Sequence, residues 1–256
     1  MSWERNINIK NQQEIAIMRE AGRINALALA AAKVLVQPGV TTIELDKAAE
    51  EVIRKHGAIP TFLGVPGAYP YPNTITVSIN DELVHGIPGK RKLKEGDIVS
   101  VDCGATFEGM VGDAAFTVGV GEISPEAQAL IDVTEQSLVE GISKLRVGNR
   151  LGDVGASIQR YAESRGYYLT RMYTGHGVGR TMWEGPQVPN YGTPGHGLAL
   201  RAGMTLALEP MLLIGTAETR ILADKWTVVS ADGSLTAHFE HTVAVTTGDP
   251  CILTLP

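Results

Sequence analysis

Four acids of this chain stand in stretches that are otherwise apolar and alternating: Asp102 in "DIVSVDC", Asp113 in "VGDAAFTVGV", Glu209 in "LALEPML" and Glu240 in "HFEHT". Alternate residues of a strand share a face. Ile98, Ser100 and Asp102 therefore go together, as do Asp113, Ala115, Thr117 and Gly119, with Ala114, Phe116, Val118 and Val120 on the opposite, apolar side. By the same count Glu209 falls with Thr205 and Ala207, and Glu240 with His238, Thr242 and Ala244. A buried carboxylate takes up a proton unless a cation compensates it. The Lys and Arg residues lie mainly on expected helices and loops, so a divalent metal is the economical counter-charge. Each acid could instead pair with its own basic residue. Four acids on matched faces weigh against that, because Asp and Glu are almost never fully buried without a specific partner.

His176 lies in "TGHGVG", where flanking glycines admit unusual backbone geometry and close approach to a ligand. Although a lone histidine is more often structural, this one is read as joining the acids. Oxygen-rich sites with an imidazole suit Mn, Co, Fe or Zn, and four acids with one histidine exceed what one zinc needs. Two ions sharing bridging carboxylates would use them all. His56 reads as a helix-end residue, His196 as a loop residue, and His241 as pointing to the strand face opposite Glu240. Cys103 and Cys251 lack disulfide-framework or zinc spacing. Cys103 reads as a small buried strand residue rather than a nucleophile.

The elements that position these groups repeat. Asn11 with Glu14 forms a capping-box pattern opening a helix through about Val36, and Thr41 with Glu44 opens a second helix to His56-Gly57. Ser124-Pro125 starts a third, ending near 146–148, and a fourth runs from about 152 to Gly166. Gly39 and Gly148 are 109 residues apart, as are Gly57 and Gly166, while "LKEGDIVSVD" matches "LRAGMTLALE" at an offset of 107. Asp102 and Glu209 are thus equivalent positions of an internal duplication. The period is too long for a solenoid, and it predicts a pseudo-symmetric α+β domain with the site between its halves.

Composition sets the outer bounds. The 256 residues suffice for a self-contained core as one large domain or two small ones, and 44% hydrophobic with 20% charged residues is globular. A formal net charge of −6 speaks against a nucleic-acid partner, the densest basic patch being "GKRKLKEG". The polar start "MSWERNINIKNQQE" has no secretory core and no apolar run spans a bilayer, so the expected location is the cytoplasm and no membrane partner is expected.

Together, "VHGIPG" with His85, "VSVDCGATFEGMVGD" with Asp102 and Asp113, "GHGVGR" with His176, "LALEPML" with Glu209 and "FEHT" with Glu240 closely resemble the type I methionine aminopeptidases of the pita-bread metallopeptidase family. The resemblance runs from about residue 10 to 248. It implies a single pita-bread domain over 1–256, with halves at about 10–120 and 121–248 around a central antiparallel sheet. It implies two divalent ions (Co, Mn, Fe, Zn or Ni), with Asp102 on one, Asp113 and Glu240 bridging, and His176 and Glu209 on the other. Glu209 would also shuttle a proton, and His85 would hydrogen-bond the substrate near the scissile amide. Tyr71, Thr76, Trp226 and Phe62 would form the methionine pocket. The implied reaction removes the initiator methionine from nascent polypeptide N-termini when the second residue is small, with ribosome association and a monomeric state as further expectations. An Xaa-Pro-cleaving relative and a non-catalytic binding protein on the same fold are the alternatives.

One position departs from the pattern. The family's "GHGxGRxxH" carries a second active-site histidine where this chain has Trp183. Indole offers one N–H donor, no acceptor and no proton exchange near neutral pH. Trp183 is therefore expected to reduce or re-tune turnover, or to narrow the site for the second residue.

Overall fold

A computed structural model describes residues 7–256; residues 1–6, where the polar start begins, lie outside the described residues. The capping signals are used. Helix α1 spans Gln12–Val34, with the Glu14 N–H donating to Asn11 Oδ1 at 3.0 Å and the Asn11 N–H donating to Glu14 Oε2 at 2.9 Å. Helix α2 spans Thr42–Lys55 behind the matching Thr41/Glu44 box. Helix α3 spans Pro125–Ile142 with Ser124 as its cap, and α4 spans Leu151–Glu163. Helices α1 and α3 end a few residues before the Gly stops. Their last turns tighten into three-residue bonds, Leu35 N–H to Ala32 O after α1 and Leu145 N–H to Ile142 O after α3.

Among the described residues, fifteen strands complete the fold. The first half holds β1 (Ile59–Pro60), β2 (Ile75–Ile79), β3 (Glu82–Val84), β4 (Ile98–Phe107) and β5 (Met110–Gly119). The second holds β6 (Tyr168–Leu169), β7 (Gly175–Gly177), β8 (Glu184–Val188), β9 (Thr205–Leu208), β10 (Met211–Leu213), β11 (Thr219–Ile221), β12 (Val228–Ser230), β13 (Thr236–His238), β14 (Glu240–Ala244) and β15 (Cys251–Ile252). The main sheet runs β1-β4-β5-β14-β9-β7-β8, with β2 on β4 and β15 on β14, and its strand pairs are antiparallel. It therefore draws strands from both halves.

The duplication is visible in detail. Thr41 bridges Lys92 in the first half, and Arg150 bridges Ala199 in the second. The Leu93 N–H donates to Val40 O, and the Leu200 N–H to Asn149 O. The turns that feed Asp102 and Glu209 each need a left-handed residue, and Gly96 and Gly203 both sit at φ +87°. Each half keeps its own apolar cluster, Ile24, Leu45, Ile53 and Val101 in one, Leu130, Ile158, Leu206 and Leu208 in the other. Phe116 packs against both.

Candidate metal centre

Strand register alone assembles the predicted acids. Ala115 lies opposite Asp102 on one side and opposite Glu240 on the other, which sets Asp102, Ala115 and Glu240 in one row across β4, β5 and β14. The neighbouring row on the same face runs Gly104, Asp113, Thr242, Ala207, His176; the Thr242 hydroxyl donates to Asp113 O at 2.8 Å. Glu209 follows one residue after β9 ends, two past Ala207, and so reaches the same face. Between the donors stand only Ala115, Thr242 and Ala207, whose small side chains leave room above the sheet.

The donors converge without neutralising one another. Single ligand atoms of Asp113, His176 and Glu240 all lie within 4.8 Å of each other. His176 Nε2 is 3.8 Å from Asp113 Oδ2 and 3.6 Å from Glu209 Oε1. His176 Nδ1 is 2.9 Å from Gly177 O and donates to it, so Nε2 turns its lone pair to the acids. Buried oxygens of Asp102 (Oδ1), Asp113 (Oδ1) and Glu240 (Oε1) have no hydrogen-bond partner. Burial raises Asp113 to about 7; it also holds Asp102, Glu209 and Glu240 well above the usual carboxylate range, and neighbouring acids add to the rise of these three. Burial lowers His176 to about 4, which keeps its imidazole neutral. Orphaned carboxylate oxygens around a neutral imidazole fit divalent metal ions, because a cation reverses the cost of ionising the acids.

Beside the acids lies an apolar chamber lined by Phe62, Val65, Tyr71, Thr76 and Trp226, meeting the acid-lined outer cavity at His85, Asp102, Met182 and Trp183. Thr76 reaches it because β2 places it opposite Asp102. Tyr71 and Trp226 meet edge to face, 5.1 Å between centroids, and the Tyr71 hydroxyl donates to Gly86 O at 2.9 Å. A Cβ on Gly67 would collide with the Trp226 ring, so the wall needs glycine there. His85 adopts φ +62°, uncommon for a non-glycine residue and a mark of a constrained position. Its ring lies edge-on to Tyr173 and Trp226, and burial lowers it to about 4.

The outer cavity opens past Met172, Tyr173, Trp183 and Gln187. Trp183 is 41% exposed and lines both chambers. The Thr181 hydroxyl donates to Trp183 O at 2.9 Å, and the next residue, Glu184, forms a buried ion pair with Lys10 and accepts from the Arg180 N–H at 2.7 Å.

The structure thus brings together His85, Asp102, Asp113, His176, Glu209, Glu240, Tyr71, Thr76, Trp226, Phe62 and Trp183. His241 stays out, its Nδ1 2.8 Å from Thr254 Oγ1. Cys103 is fully buried and its thiol is pushed up by burial, which leaves it unreactive. Sequence reasoning missed Val65, Met182, Tyr173, Met211 and above all His238, which lines the outer cavity. The available signal was its two-residue spacing from Glu240.

The profile of metallopeptidase family M24 matches residues 16–247. The methionine aminopeptidase of Clostridium perfringens is 50% identical over 97% of this chain and 99% of its own length, and that of Clostridium acetobutylicum 52% identical over 97% and 99%. The crystal structure of the Thermotoga maritima methionine aminopeptidase superposes with a TM-score of 0.95 at 45% identity, covering 98% of this chain and 100% of that one. Prolidase from Pyrococcus furiosus shares the fold, with a TM-score of 0.78 at 20% identity over 97% of this chain and 65% of its own.

Proposed function

The chain belongs to metallopeptidase family M24, and from that premise we propose that it is a metal-dependent aminopeptidase that removes N-terminal methionine from nascent chains whose second residue is small. The observation that carries this reading is the placing of unpaired buried carboxylates and a neutral His176 at the open end of an apolar chamber. Asp102, Asp113, His176, Glu209 and Glu240 would together hold two divalent ions. Two divalent ions there supply a lowered pKa for water and polarisation of the scissile carbonyl.

The remaining steps belong to the side chains. The chamber of Phe62, Val65, Tyr71, Thr76 and Trp226 takes the unbranched thioether and excludes water from it. His85, at the junction of the two chambers, donates a hydrogen bond near the scissile amide. Glu209, the most open of the acids with its side chain 14% exposed, accepts the proton of the attacking water and passes it to the leaving amine. Trp183 presents a single indole donor at the same junction and does not exchange protons there, so turnover is reduced or re-tuned.

The chain works as a single folded unit of the type I kind, as a monomer in the cytoplasm and close to the ribosome. One unfolding transition, a monomeric sedimentation profile and co-sedimentation with ribosomes are the expected readouts. Activity on Met-Ala-type peptides, measured after reconstitution with Co, Mn, Fe, Zn and Ni in turn, tests the main proposal. Methionine release with at least one of them is expected. Inactivity with all would overturn it in favour of a binding protein on the same fold, whereas cleavage of Xaa-Pro peptides alone would favour the proline-specific alternative.

A further inference from the structure

His238 closes β13 and is 1% exposed. Its backbone is locked from two sides: the N–H donates to Thr117 Oγ1 at 2.9 Å, and β10 pairs it with Met211. Its imidazole is not. Nε2 lies 3.9 Å from Glu209 Oε2 and 4.0 Å from Glu240 Oε2, beyond hydrogen-bond range, and has no partner. A buried polar atom held in place yet unpaired in the protein marks a position whose partner arrives from outside.

The cavity indicates which partner. His238 lines the outer cavity and is absent from the walls of the apolar chamber. If the chamber holds the methionine side chain, the scissile bond lies at the junction and the rest of the peptide crosses the outer cavity. That cavity is rich in acids, and a peptide carbonyl crossing it needs a donor. Resting on the methionine-release reading above, we propose that His238 is a substrate-binding residue of the leaving side, whose Nε2–H donates to the backbone carbonyl of the substrate's second residue.

The test compares two substrates on the metal-loaded enzyme. Met-Ala-Ser has the carbonyl in question; a methionyl arylamide lacks it. His238→Phe keeps the ring and removes the donor. It is expected to lower kcat/KM on the peptide about tenfold, mainly through KM, and to leave the arylamide within about twofold, the size of one lost hydrogen bond. His238→Gln, which retains an N–H donor, should recover most of the peptide activity. Titration calorimetry with Mn2+ should give the same metal affinity in all three proteins. Equal losses on both substrates, a fall in Mn2+ affinity, or no loss on the peptide would each overturn the proposal. Should the phenylalanine variant not fold, His238→Ala carries the same comparison. A wild-type enzyme that releases methionine from neither substrate overturns instead the activity on which the proposal rests.

Discussion

At the floor of the site Asp102, Asp113, His176 and Glu240 are each under 10% exposed and come from neighbouring strands of one sheet; at its mouth Met172 is 75% and Trp183 41% exposed, and both stand on loops. The floor is positioned by register. A one-residue slip of β5 or β14 would turn Asp113 or Glu240 into the apolar layers behind, so its residues are specified together. The mouth is positioned by local anchors such as Glu184, and a side chain there can change without disturbing a strand. The departure proposed at Trp183 falls at the mouth, away from the strands that carry the acids and His176.

The comparison breaks most sharply at the floor. Asp113→Asn removes a donor shared by the cluster and should lower kcat/KM on the order of a thousandfold or more, with loss of metal affinity by calorimetry. A variant that stays active with full metal content would show that the floor is not the metal centre. At the mouth, Trp183→His should raise methionine release from Met-Ala peptides about tenfold to a hundredfold while metal affinity stays constant. No gain would show that Trp183 does not limit turnover.

The charge state of the floor gives a subtler effect. Asp113, raised to about 7 in the metal-free fold, holds a proton that the unfolded chain releases near pH 4. The stability this contributes is present below pH 4 and is lost as pH rises toward 7. Metal, which replaces the proton, should therefore raise Tm by several degrees more at pH 8 than at pH 5. An equal metal-induced shift at both pH values, read by calorimetry, would contradict it. Smallest is the chamber wall: Gly67→Ala pushes against Trp226 and should raise KM for methionyl substrates about threefold with little change in kcat.

Much of this division could be read from residues alone. Period-two alternation was enough to put Asp102, Asp113, Glu209 and Glu240 on shared faces, because β4 and β5 run straight through Asp102 and Asp113, Glu240 opens β14 and Glu209 directly follows β9. The paired glycines revealed the duplication because left-handed turns tolerate few other residues, as Gly96 and Gly203 bear out. His238 escaped because β13 and β14 belong to different sheets, broken at Phe239, so a shared face did not by itself imply a shared cavity. Met182 and Tyr173 escaped for another reason: they lie on loops, whose course follows from tertiary contacts rather than from any local period. The early ends of α1 and α3 reflect tightening of the last turn, which pattern does not encode.

Lys10 joins the two regions physically. Its backbone N–H holds Gly203 O at 2.8 Å, at the turn that launches the Glu209 strand, while its ammonium is paired with Glu184 beside Trp183. The rim and the turn that leads to Glu209 are thus tethered to one residue, and outward movement of the rim would have to break the Lys10–Glu184 pair or pull on that turn. A rim tied in this way resists widening, so the size of the group admitted past Trp183 would be set by the resting fold more than by movement of the loop.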